Sequence, residues 1–316
     1  RGRDLLDRRT TAAKDSAIRY FKRALRQDSS YARAWAGLAD ARALSPFDAS
    51  RGRVDSVRRV LPEAEAAARR ALQLAPDLAK AHASIGIIHF LRRVGTAALQ
   101  ELRRSVELKP SYAQAHHWLG ALLMNLGRQE SALQHYRLAV ELNPGNRSVW
   151  DELVTAQLAN RNYREALEIS RRAETRNARV VTSSRAEVLL HLKRWEQLRT
   201  LAPDSFPDRG PRPRRLFKTQ LSLYQGLAEL ASGDTDSARN RLQELRTRFD
   251  DEGLTARVAA TEHALLYAAL EQPDSAFAVL DRAFRLSPDD FPQYSSLPLR
   301  YLFPDWLRPI RADSRY

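Results

Sequence analysis

None of the 316 residues is a cysteine. That excludes disulfides, thiol nucleophiles and thiolate zinc sites, and it leaves the redox compartment undetermined. No stretch approaches the roughly 18 apolar residues needed to span a bilayer. The 12 glycines stand mostly alone at turns, so no Gly-rich phosphate loop is present. Together with 15 prolines they also exclude a low-complexity polymer. Lysine is scarce: six of the 52 basic residues are Lys, and the net charge of +14 rests on Arg. A basic surface favours acidic partners. These charges, however, are interspersed with Asp and Glu along helical segments, which reads as solvated faces and makes nucleic acid an unfavoured partner. The chain opens on "RGRDLLDRR" without Met or a following apolar core. That is not a secretory signal as it stands. The expectation is a cytoplasmic protein, and the missing Met reads as a processed product or a piece of a longer chain.

What the sequence does contain is repetition. "ALQELRRSVELKPSY" at 98–112 returns as "ALQHYRLAVELNPGN" at 132–146, 34 residues later. A period of 20–50 residues signals stacked supersecondary units. Stepping back from Pro110 by the same 34 lands on Pro76, and stepping forward lands on Pro144. Within 113–126, Ala115, Leu119, Leu122, Leu123 and Leu126 share one stripe at helical spacing. Ala132, Leu133, Tyr136, Ala139 and Val140 do the same in 130–142, and Gly127 between them is a helix stop. The first repeat is stretched: 24–41 matches 71–88 at a separation of 47, and the excess falls in 45–62, which reads as a loop-like insertion.

These residues resemble the tetratricopeptide repeat. Residues 113–146 carry Leu119, Gly120, Gly127, Ala132, Tyr136, Ala139 and Pro144 at that family's signature places. The departure is His116, where the family often has Trp; Trp35 and Trp150 hold the equivalent place in other repeats, as His82 does in one more. The resemblance implies an all-α fold, a right-handed superhelical solenoid of helix–turn–helix hairpins. It divides the chain into a leading helix (1–30), a regular array of about five hairpins (31–205, insertion at 45–62), a basic Pro/Arg linker (206–218), two degenerate hairpins (219–290) and a capping tail (291–316). The fifth hairpin has a shortened second helix. Residues 8–41 and 307–316 are further similar to the ends of repeat regions in bacterial signalling proteins, whose upstream domain is a Ser/Thr kinase, a nucleotide cyclase or a winged-helix domain.

A helical repeat buries its core only against its neighbours, which leaves an open concave face. In the family the first helices line that face and hold a peptide or helix. Carried over, the groove comprises Lys80, Ile87, Phe90, Gln114, His117, Met124, Asn125, Asp151, Thr155 and Leu158, with Ala83, Ala121 and Ser148 between them. It has an apolar centre that suits a helix or apolar peptide. The family's Lys-and-Asn clamp for terminal carboxylates is missing, since Ala83, Ile87, His117 and Ala121 occupy its places. Chaperone tails are therefore not expected to bind.

Nothing proposes a nucleophile, a base and an orienting group together, so no catalytic residue, cofactor or metal is expected. His82 and His116 read as packing residues in Trp places. Adjacent His116 and His117 point to different helix faces and cannot share a metal. The segment "FPDRGPRPRRLFK" at 206–218 reads as an irregular hinge. Arg209, Arg212, Arg214 and Arg215 within it form a candidate basic strip for an acidic partner or nucleic acid. Two functions stand side by side. One is a non-catalytic protein-interaction module that regulates a signalling domain. The other is a scaffold that self-assembles through its terminal repeats into a homo-oligomer, with the apolar tail at 295–316 docking on another copy instead of capping the last hairpin.

Overall fold

The computed structural model describes residues 11–43, 53–176, 182–201, 211–252, 264, 266–268 and 270–286. It is an all-α helical-repeat solenoid with no strand among these residues. The chain divides into two compact units at Val180/Val181.

The first unit starts with helix α1 (Thr11–Gln27) and continues as four hairpins. These are α2 (Ala32–Ala43) with α3 (Arg53–Leu74), α4 (Ala79–Leu91) with α5 (Gly95–Leu108), α6 (Ala113–Asn125) with α7 (Gln129–Leu142), and α8 (Arg147–Ala159) with α9 (Tyr163–Thr175). The second unit contains α10 (Thr182–His191), the short α11 (Trp195–Arg199), α12 (Pro211–Ala231), α13 (Thr235–Glu252) and α14 (Pro273–Leu286).

One backbone device closes six of the hairpins. Arg93, Gly127, Arg161, Lys193, Gly233 and Glu271 all have φ between +53° and +86°. After each of them the next N–H donates to a carbonyl five residues back: Val94 to His89, Arg128 to Leu123, Asn162 to Gln157, Arg194 to Leu189, Asp234 to Glu229 and Gln272 to Tyr267, each at 2.9 Å. This left-handed cap satisfies carbonyls that the helix end would otherwise orphan. Glycine fills the strained place in only two of the six.

Close approach within a hairpin depends on small residues. A Cβ at Gly120 would sit 2.9 Å from the Tyr136 ring, and one at Gly86 would sit 2.6 Å from Leu102 Cγ. In α8/α9 the same two places hold Val154 and Ser170, both fully buried, so the bulk moves from the second helix to the first.

Three expectations change. The insertion at 45–62 is helical from Arg53 onward, and α3 runs through an exposed Pro62. A proline facing water forfeits one backbone bond where solvent can replace it. Residues 211–218 of the expected irregular linker are the first two turns of α12. Pro211 and Pro213 fit there because first-turn N–H groups have no helical partner. The fifth hairpin, α10/α11, belongs to the second unit and not to an array ending at 205. The tail at 291–316 lies outside the described residues.

Candidate binding face

The first helices α2, α4, α6 and α8 begin alike. Trp35, His82, His116 and Trp150 each place a ring nitrogen on the carbonyl six residues earlier: Ser29 at 2.9 Å, Pro76 at 2.9 Å, Pro110 at 2.8 Å and Pro144 at 2.8 Å. The two histidines thus copy the indole N–H bond, as their equivalence with Trp implies. Their second nitrogens reach the following helix. His82 Nδ1 meets Glu101 at 2.7 Å. His116 Nδ1 meets His135 Nδ1 at 2.9 Å, with the rings stacked at 5.2 Å. Because a carbonyl only accepts, neutral His116 carries its proton on Nε2 and His135 donates to its Nδ1. Burial pushes the His135 pKa down, reinforced by His116 and Arg103.

Neighbouring hairpins are joined by two polar knots, the first around a buried carboxylate. Asp40 of α2 accepts from the Ser84 hydroxyl of α4 and, at 3.2 Å, from the Tyr112 hydroxyl that precedes α6. Lys80 Nζ lies 5.5 Å from the centre of that Tyr112 ring. Further along, His117 of α6 takes the Gln114 amide on Nδ1 at 3.1 Å and faces Glu152 of α8 through Nε2 at 3.0 Å. The Tyr136 hydroxyl also bonds Glu152, and burial first, then that carboxylate, hold its pKa well above the usual phenol range. Asp40 is buried, and a buried carboxylate is tolerated only with such donors around it, whereas Glu152 keeps 39% of its side chain exposed. Neither Asp40 nor Glu152 stood out in the sequence, although an acid inside the apolar stripe of 36–43 was a signal for the first.

The face expected to bind is graded. The first helices pack most extensively between α2 and α4 and least between α6 and α8. Accordingly Ala83 and Ile87 of α4 are buried, Ala121 of α6 is half-buried and Thr155 of α8 is exposed. Ile87, His117 and Leu158 are no more than 7% exposed, so they are wall and not contact surface. His117 is further occupied by its two polar partners. Lys80, Gln114, Asp151, Phe90 and Met124 are half-buried, and Asn125 is exposed. Asn125 and Thr155 donate to carbonyls of their own helices, Ala121 at 2.9 Å and Asp151 at 2.8 Å. Phe90 and Met124 occupy the same register, and the exposed Val94 and Leu126 adjoin them in the hairpin turns.

Of the basic strip, Arg209 lies outside the described residues, while Arg212, Arg214 and Arg215 fall in the opening turns of α12. No three metal-ligating side chains converge among the described residues, and none of their helices is long and apolar enough to cross a membrane.

The tetratricopeptide-repeat family matches at residues 113–146 and again at 220–251. No curated protein matches in sequence. Solved structures that the chain resembles include Pseudomonas aeruginosa pilF, at 18% identity over 82% of this chain and 96% of that one, TM-score 0.45. MamA from Desulfovibrio magneticus RS-1 is similar at 19% identity over 56% and 90%, TM-score 0.37. YrrB, described as a TPR protein with an unusual peptide-binding site, is similar at 23% identity over 52% and 77%, TM-score 0.35.

Proposed function

Because this chain is a tetratricopeptide-repeat protein, a protein-interaction module, we propose that it binds a peptide or helix of a partner along the face shared by α4, α6 and α8. The observation that carries this reading is the apolar strip of Phe90 and Met124, continued by Val94 and Leu126. It is left uncovered between polar positions such as Gln114, Asn125 and Thr155. An amphipathic helix or extended peptide needs that mixture: apolar anchors for affinity and polar groups for register. Lys80, Gln114, Asp151, Asn125 and Thr155 supply the polar contacts, and the buried Ile87, His117 and Leu158 hold the surface in place.

Selecting binders from a displayed random-peptide library on the purified chain tests it. Peptides so selected are expected to lose binding to Phe90→Asp and Met124→Asp, and to keep it with Leu138→Asp on the exposed side of α7. Binders indifferent to the first two substitutions overturn the reading.

The module is further read as the regulatory arm of a larger bacterial signalling protein, on the similarity of 8–41 to the openings of such repeat regions. Sequencing the gene across both ends tests this. A kinase, cyclase or winged-helix frame running into Arg1 supports it, and a start codon directly upstream removes it.

A further inference from the structure

A cavity of about 560 Å³ opens among α1, α2 and α3, on helices that the α4–α6–α8 face does not use. Its floor is apolar, formed by Leu25, Leu38, Ala67 and Trp35. The Trp35 indole N–H is already spent on the Ser29 carbonyl, so the ring serves the cavity as surface. The α3 contribution to the lining includes the small side chains of Ala66 and Ala67. Around the rim stand Lys22 and Arg26 of α1, Arg42 of α2 and Arg70 of α3, against the single carboxylate of Glu63. Four cations less one carboxylate leave a formal charge of +3.

Arg42 is the most constrained of these. Its guanidinium pairs with Glu63, yet its side chain is only 16% exposed and its buried Nε has no hydrogen-bond partner. A second copy of this chain is a poor occupant, since both surfaces would be cationic on chains of net charge +14. Single-stranded nucleic acid fits less well too. It asks for a track of cations with several stacking faces, whereas here a single ring, Trp35, lines an open hollow.

We infer that this cavity docks an acidic segment of a partner protein, with one bulky apolar side chain on the floor and flanking Asp or Glu side chains on Lys22, Arg26 and Arg70. The site is independent of the α4–α6–α8 face and stands or falls separately from it.

The test uses the full chain and a fluorescein-labelled ten-residue peptide of Asp and Glu around a central Phe, followed by anisotropy at low salt. Saturable binding is expected, weakening as salt rises. Lys22→Glu with Arg26→Glu is expected to weaken it about tenfold or more, since rim charges govern encounter and retention. Ala66→Phe, which fills the hollow without touching a charge, is expected to weaken it similarly, as is replacing the peptide's Phe by Ser. All three protein positions are exposed, so unchanged circular dichroism melting is expected to show the fold intact. Phe90→Asp with Met124→Asp is expected to leave this peptide bound, which separates the two sites. The inference is overturned by no saturable binding to the folded chain, by binding that survives both the rim and the Ala66→Phe variants, or by a charge-matched single-stranded DNA that displaces the peptide at lower concentration than the peptide itself.

Discussion

Hairpins α6/α7 and α10/α11 share the same turn, with Gly127 and Lys193 both at positive φ, yet they are held in different ways. In the first, fourteen residues of second helix press Tyr136 onto Gly120. In the second, the partner helix has five residues, and its end is held from outside. The Gln225 amide of α12 donates to the carbonyls of Leu198, Arg199 and Leu201 at 3.0–3.4 Å. Where apolar contact along the hairpin is long, complementary volume holds it; where it is short, a polar cap from the next helix satisfies the exposed carbonyls. The buried acids are paired in both units, Glu65 with Arg69 and Arg92 in the first and Glu229 with Arg241 in the second. The half-buried Glu187 of α10 differs: burial pushes its pKa up to about 7.

The contrast can be broken from the packed side first. Gly120→Val is expected to cost about 3 kcal/mol in urea unfolding, because the new Cβ starts inside the Tyr136 ring contact. Adding Tyr136→Ser recreates the Val154/Ser170 arrangement, so the double variant should lose clearly less than the two single losses combined. Strict additivity would count against exchange of volume between the helices.

The next largest effect is on Glu187. Its folded-state pKa lies above that of the unfolded chain, so its contribution is present below the ordinary carboxylate range and is lost as pH rises through about 7. Glu187→Gln should therefore leave melting near pH 5 almost unchanged and raise stability near pH 8 by roughly 1–2 kcal/mol. An equal shift at both values would rule out that cause.

Gln225→Ala removes the borrowed cap and should lower the local stability of α11 by about 1 kcal/mol. Amide exchange there should quicken, with α6/α7 unaffected. Smallest of all, Arg161→Gly relieves a left-handed residue and should stabilise by about 0.5–1 kcal/mol. Gly127→Ala should destabilise by a similar amount. Matched thermal melts with opposite signs would sharpen the view that one backbone shape, differently filled, closes these six hairpin turns.

Much of this was legible in advance. The 34-residue period, the stops at Gly127 and Pro144, and the pairing of small with bulky residues follow from local chemistry, as does the place of His82 and His116 among the tryptophans. Each depends on spacings within one hairpin, which any reading of the chain preserves. Irregularity at 211–218 was over-read from prolines, since a proline's cost depends on whether it stands at a first turn or faces water, and the loop-like reading of 53–62 was over-read from excess length alone. For the proposed face, register put Phe90 and Met124 at equivalent places of α4 and α6, but could not tell that Ile87, His117 and Leu158 lie beneath the surface, because burial there depends on how the neighbouring helices pack. The cavity of α1–α3 was invisible. Lys22, Arg42 and Arg70 lie on three helices, and scattered along the chain they look like solvated charge. By itself, then, the sequence determined the repeating unit and how each hairpin closes, because those interactions are short-range and recur. Which side chains lie at the surface, and which cations share one hollow, only the tertiary structure decided, because that depends on how helices far apart in the chain pack together.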